Sequence, residues 1–268
     1  MTMLFDMCHL TVCLVEPSRA QGQIIQHHLQ ELGIERVDRV ESGAEALARI
    51  HLPPLPDIVI SAMYLPDMTG AELVMAMRGD ERVREMPFVL VSSETRPQQL
   101  DAIRQAGAMA ILPKPFTPAQ LDKAISSSLD YLNVEDTRSE LESLDLYAKK
   151  ILLVDDSTVS RSFMRSVLER FGFCEITEAD NGRSAVGLLA AGNYFDLIIT
   201  DYNMPEMDGR ELIEHVRTSS QLVSVPILMV SGEQDEQRLA AVEEAGVSAI
   251  CDKPFDIGTL KSLISQFL

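Results

Sequence analysis

Two textures alternate along this chain. Short unbroken apolar runs stop abruptly at polar residues, and between them lie stretches whose apolar residues recur at helical spacing. In the second half, Ile151–Val154 is such a run and ends at two acids. The next stretch, STVSRSFMRSVLERFG, predicts a helix with Val159, Phe163, Val167 and Phe171 on one stripe and Gly172 as its stop. The pattern then predicts strands at Ile176–Thr177, Asp196–Thr200, Pro226–Val230 and Ala249–Cys251. Between and after them it predicts helices over Gly182–Ala191, Gly209–Arg217, Asp235–Ala245 and Ile257–Phe267. Continuously apolar strands alternating with amphipathic helices predict a doubly wound α/β domain, its parallel sheet covered on both faces.

The first half repeats this order, with strands expected at Val12–Val15, Val37–Val40, Ile58–Ser61, Phe88–Val91 and Met109–Leu112. Its landmarks match those of the second half at a constant offset of 139 positions (154 against 15, 205 against 66, 226 against 87, 253 against 114). A gapless duplication follows. The expected organisation is one domain over 1–130, an acidic linker over 131–148, and a second domain over 149–268. The connection carries Glu135, Asp136, Glu140, Glu142 and Asp145 among Leu141, Leu144 and Leu146; the leucines favour a partly packed connection over a loose tether. The N-terminal MTMLFDMCHLTVCLV is apolar, but Asp6 and His9 interrupt it and no basic segment opens it. It is not expected to be a signal peptide, and Thr11–Val15 reads as a strand.

Composition narrows the function classes. A chain of 268 residues with 46% hydrophobic content can bury two ordinary cores. A formal net charge of −18, with no Lys/Arg stripe, argues against nucleic acid and against adhesion to anionic membranes. No apolar run reaches the length of a membrane span. Of the four cysteines, Cys8, Cys13, Cys174 and Cys251, none makes a C-x-x-C pair. The last three fall in or beside predicted strands and read as small apolar residues, consistent with a reducing cytoplasm.

In an open parallel sheet, ligands bind beyond the carboxyl ends of the strands. In the second copy, Asp155 and Asp156 follow the first strand, Asp201 the third, Ser231 the fourth and Lys253 the fifth. Taken singly, each reads as a cap, a turn residue or a solvated charge; the conjunction does not. Crowded carboxylates call for a cation, and oxygen ligands with water to spare suit Mg²⁺. An ammonium and a hydroxyl around an exposed carboxylate complete a phosphoryl-transfer arrangement with Asp201 as nucleophile.

The pattern DD, then D-x-x-M-P-x-M-D-G, then Ser, then K-P-F resembles the receiver domain of response regulators, the CheY-like superfamily, in both copies. The resemblance implies tandem flavodoxin-like domains of five βα units in a cytoplasmic two-component signalling protein. It implies that Asp201 takes a phosphoryl group from a phosphohistidine on a sensor histidine kinase or phosphotransfer protein. It further implies Mg²⁺ bound by Asp156, Asp201 and the backbone carbonyl of Asn203, with Asp155 assisting through water. Lys253 would pair with the phosphate, Ser231 would swing toward it, and the Lys253–Pro254 bond would be cis. Asn203 and Glu233 occupy positions that tune phosphate lifetime and match a fast-cycling chemotaxis regulator, and Gly232 leaves the phosphate open to approach. Output would pass through a downstream protein target, with a homodimer as one arrangement.

The sequence departs from that pattern in two ways. The aromatic usual three residues before the lysine is Ile250, and Ile111 in the first copy. The first copy also replaces Asp155, Asp156 and Asp201 with Glu16, Pro17 and Ala62, keeping Ser92 and Lys114; it reads as a pseudo-receiver serving as adaptor or dimerisation platform. Its signalling face would cover Arg96–Gly107 and Met109–Leu129. Ser61 as a substitute acceptor and His27–His28 as a phosphotransfer site are the lesser readings; the histidines read as solvated surface residues. Two rival functions stand beside this one. A phosphatase of the haloacid-dehalogenase type needs D-x-D, and residue 203 is Asn; a scaffold in which neither copy is phosphorylated would leave the acidic cluster idle.

Overall fold

The structure is a computed structural model, which describes residues 7–94, 103, 106–133, 146–218, 222–232, 236–253 and 257–268. The chain divides into two compact units, 1–136 and 137–268. The first unit contains β1 (Thr11–Val15), α1 (Arg19–Glu31), β2 (Arg36–Val40), α2 (Gly43–Arg49), β3 (Ile58–Ala62), α3 (Gly70–Arg78), β4 (Phe88–Ser92), β5 (Ala110–Pro113) and α4 (Pro118–Leu132). The second contains β6 (Lys150–Val154), α5 (Thr158–Phe171), β7 (Glu175–Ala179), α6 (Gly182–Ala190), β8 (Leu197–Thr200), α7 (Gly209–Thr218), β9 (Ile227–Ser231), α8 (Glu236–Ala245), β10 (Ala249–Asp252) and α9 (Ile257–Phe267). Each unit forms one five-stranded parallel sheet, ordered β2-β1-β3-β4-β5 and β7-β6-β8-β9-β10. This is the doubly wound, flavodoxin-like order expected.

The apolar runs became interior strands because both sheet faces are covered. In β1, Val12 and Leu14 join one core cluster while Cys13 and Val15 join the other, so successive side chains feed opposite layers. The edge strands β2 and β7 are only half-buried, which is why their sequence signal was weakest. Helices start at side-chain caps: Ser18, Ser42, Thr69 and Thr117 in the first unit, Ser157 and Asn181 in the second. Thr69–Glu72 and Thr117–Gln120 complete reciprocal capping boxes. Gly172 ends α5 in the left-handed region at φ 110°, the stop read from the sequence.

Some expectations shift in detail. The apolar face of α5 is wider than one stripe: Met164 and Leu168 are buried beside Phe163, Val167 and Phe171, while Val159 is only half-buried. Cys13 and Cys251 are buried, and burial pushes the Cys13 thiol up to about 12; Cys174, just ahead of β7, is exposed and does not behave as an apolar strand residue. Leu146 is buried in a short turn ahead of β6 and α4 runs on to Leu132, whereas 134–145 of the acidic connection lie outside the described residues. No helix among the described residues is long and apolar enough to cross a membrane.

Candidate functional site

The site of the second unit is built by ladder bonds that run one residue past the strands. The N–H of Asp155 donates to Ala179 O (3.2 Å), that of Asp201 to Val154 O (2.8 Å), and that of Lys253 to Ser231 O (2.7 Å). The exits of β6, β8 and β10 are thereby each fixed to a neighbouring strand at the carboxyl end of the sheet. Lys253 Nζ donates to Asp155 Oδ2 at 2.7 Å and to Asp201 Oδ1 at 3.1 Å, with all three residues buried. Ser160, in the first turn of α5, donates its hydroxyl to Asp155 Oδ2 (2.6 Å) and accepts from Lys253 Nζ (3.2 Å). The Ser157 N–H donates to Asp155 Oδ1 (2.9 Å).

Sequence reasoning brought Asp155, Asp201, Ser231 and Lys253 to one sheet end, and the structure places them there, with Ser231 buried at the end of β9. Asp156 lies apart from the buried trio, exposed at the mouth, and Asn203 is exposed in the loop after β8. Ile250 is half-buried against the core cluster that holds Tyr202 and Met204. Glu233 and Pro254 lie outside the described residues, as does most of Arg96–Gly107; in the first unit the Lys114–Pro115 bond is cis. Sequence reading missed Ser160. Its signal was a hydroxyl five positions after Asp155, where the first helical turn folds back over the strand exit.

Burial, reinforced by the charge of Asp155 and opposed by Lys253, pushes the Asp201 carboxyl up to about 6. It is more basic than an ordinary aspartate. Partial loss of water, then the Asp155 charge, holds Asp156 above its usual value. Burial works against the Lys253 ammonium, yet Asp201 and Asp155 outweigh it and hold its pKa above the usual lysine value. Among the described residues, no three His, Cys, Asp or Glu side chains close on a single point; Lys253 stands with Asp155 and Asp201 instead. The donors are nonetheless all oxygen and carry more negative charge than one ammonium offsets, which fits a hard cation such as Mg²⁺.

The loop that carries Asp201 and Asn203 depends on Gly209. A Cβ there would sit 2.2 Å from the Asp201 carbonyl oxygen and 3.0 Å from Tyr202 Cα, both main-chain atoms that cannot swing aside. Gly209→Ala should lower stability by about 1–3 kcal/mol, toward the upper end, through overpacking. Chemical denaturation of the full chain reads this; an unchanged unfolding midpoint would show that the loop yields freely. Glu206, in the same loop, sits at φ 64°, with Met207 N–H on Pro205 O at 2.7 Å, a tight turn that costs a non-glycine residue strain.

In the first unit, the equivalent place holds one ion pair. Lys114 Nζ donates to Glu16 Oε2 at 2.8 Å, with Glu16 buried and Ala62 where the second unit has Asp201. A cleft of about 660 Å³ opens beside the pair, lined in part by Ser18, Gln21, His28 and Phe116. Ser61 is fully buried and its hydroxyl donates to Ala62 O (2.9 Å), as Thr200 does to Asp201 O, so it faces no donor. His27 is exposed, but His28 is half-buried, bonded to Glu31 (3.0 Å) and edge-on to Phe116; it is a packed residue rather than a solvated one.

The family profile of the response regulator receiver domain matches residues 12–126 and again 151–265. Chemotaxis protein CheY-3 of Vibrio cholerae is 36% identical over 117 residues, covering 44% of this chain and 89% of its own. Chemotaxis protein CheY of Pseudomonas aeruginosa is 38% identical over 117 residues, 44% of this chain and 94% of its own. Among solved structures, the signal receiver domain of a signal transduction histidine kinase from Syntrophus aciditrophicus is 30% identical, covers 45% of this chain and 90% of its own, and superposes with a TM-score of 0.43.

Proposed function

The chain belongs to the response regulator receiver family twice over, through residues 12–126 and 151–265, and on that premise we propose that only the second receiver is a phosphoryl acceptor, with Asp201 as the accepting residue. The observation that carries this reading is the ammonium of Lys253 bonded at once to Asp155 and Asp201 at the strand exits. The first unit matches it with a single neutral pair and no carboxylate at Ala62.

In the proposed reaction, a carboxylate oxygen of Asp201 forms a bond to phosphorus as the N–P bond of a phosphohistidine donor breaks, and the electron pair leaves on the imidazole. Lys253 then exchanges its hydrogen bond to Asp201 for one to a phosphoryl oxygen, and the Ser231 hydroxyl turns to donate to the same group. Asp155, fixed by Ser157 and Ser160, keeps its hold on Lys253 throughout. Asp156, Asp201 and the Asn203 carbonyl would hold Mg²⁺, with Asp155 at one remove through water; the metal supplies neutralisation of charge on the transferred group. The donor is a sensor histidine kinase or a histidine phosphotransfer protein, and output passes to a protein target in the cytoplasm by contact rather than by catalysis. The domains run over 1–130 and 149–268, with 131–148 between them, and the first serves as an unphosphorylated adaptor or dimerisation domain.

Incubation of the full chain with acetyl phosphate and Mg²⁺, followed by intact mass measurement, tests the reading. One adduct per chain is expected. Turnover of many donor molecules would instead indicate a phosphatase, and no adduct would leave a scaffold.

A further inference from the structure

The 139-residue offset equates Arg161, Arg165 and Glu178 of the second unit with Gly22, Gln26 and Arg39 of the first. Position by position, the charges are lost or reversed. In space, one contact survives. In the second unit, Arg161 reaches from α5, donating Nη1 to the main-chain carbonyl of Asp155 at 2.6 Å and Nε to Glu178 at 2.8 Å. Arg165 also donates to Glu178, fixing it from a second side. In the first unit, the guanidinium comes from β2 instead: Arg39 donates Nη2 to the main-chain carbonyl of Glu16 at 3.4 Å. Gly22 leaves the room that Arg39 fills, since a Cβ there would lie 2.5 Å from Arg39 Nε. The carrier moved from helix to strand, and its old partner position became the arginine itself.

Asp155 and Glu16 are the residues whose carboxylates hold the lysine of each unit, Lys253 at 2.7 Å and Lys114 at 2.8 Å. A hydrogen bond to the carbonyl fixes the peptide plane at the strand exit, and with it the direction in which the acid leaves the main chain. We propose that Arg161 is a positioning residue of the phosphorylation site, orienting Asp155 through its backbone, and that Arg39 does the same for Glu16. The proposal rests on the phosphoryl-accepting reading of the second unit. The anchoring differs between the copies in the expected sense. Arg161 is braced by Glu178 at 2.8 Å, whereas Arg39 has the longer 3.4 Å contact with Glu41, its Nε is buried without a partner among the described residues, and its carbonyl contact is the longer one.

The test uses the full chain and two variants. Arg161→Gln removes the guanidinium and keeps the helix. The transplant Arg161→Gly/Arg165→Gln/Glu178→Arg installs the first unit's solution in the second. Outer residues that orient metal ligands typically change metal affinity about 10- to 100-fold, so Arg161→Gln should weaken Mg²⁺ binding by about 10-fold in calorimetry. The transplant should recover part of that loss, although it carries a helical glycine and reverses a charge. A second readout needs no metal: the NMR signal of the Lys253 ammonium should move in Arg161→Gln and return in the transplant. Should Arg161→Gln fail to fold by circular dichroism, Arg161→Lys replaces it, because one ammonium cannot span both Glu178 and the carbonyl as a guanidinium does. Full affinity and an unmoved Lys253 signal in the single variant, or a transplant no better than the single variant, would overturn the proposal. An unaltered chain that binds no Mg²⁺ would instead sink the reading of the site, and the Lys253 signal would still decide the role of Arg161.

Discussion

Asp201→Asn is expected to reduce phosphoryl incorporation from acetyl phosphate to background, with the fold intact. Asparagine keeps the shape of the side chain and one carbonyl oxygen, but it has no anionic oxygen to attack phosphorus. It also removes one of the two carboxylates that hold Lys253. The candidate hydroxyl of the first unit cannot take over. Ser61 is wholly buried with its proton committed to Ala62 O, so Ser61→Ala should label as fully as the unaltered chain. Intact mass reads both variants. Stoichiometric label on the Asp201→Asn protein would move the acceptor elsewhere, and peptide mapping would find it.

Mg²⁺ binding should be confined to the second unit and should vanish with its acids. Asp156→Asn, at the mouth of the site, is expected to remove measurable Mg²⁺ binding from the whole chain and, with it, labelling. The reason is electrostatic. The second site sets three carboxylates against one ammonium, whereas the first holds Glu16 and Lys114 in a pair that needs no further cation. Glu16→Gln should therefore leave Mg²⁺ affinity untouched, and excess chelator should stop labelling of the unaltered chain. Calorimetry that found a second Mg²⁺ site surviving Asp156→Asn would contradict this account of the first unit.

Most of the fold was legible because its strands are interior. Runs such as Ile58–Ile60 and Leu197–Ile199 bury both faces, so they carry no polar alternation to confuse with a surface element. The edge strands were dimmer for the converse reason: Arg36 and Glu175 belong to strands with one margin in water. Three strand ends were read a residue short because the strand closes on a polar residue: Ser92 closes β4, Ser231 closes β9 and Asp252 closes β10. The acidic residues and the lysine were legible from their common position after strands. Ser160 was not, because a serine in the first turn of a helix is ordinary in any sequence, and only the geometry shows its hydroxyl between Asp155 and Lys253. The exchange between Arg39 and Arg161 was invisible for a deeper reason. Comparison at a fixed offset compares positions, whereas here a guanidinium was kept and its position was not.

The strand order has a bearing on how this chain can be dissected. In each sheet the strand that comes first in the sequence is interior: β1 lies between β2 and β3, and β6 between β7 and β8. Shortening the chain from residue 1 as far as Val15 would open the middle of a sheet and strip two neighbours of their ladders, not fray a margin. The reverse holds at the seam between the units. Among the described residues each sheet is complete within its own unit, so a cut in the connection between the units parts no two described strands that are paired.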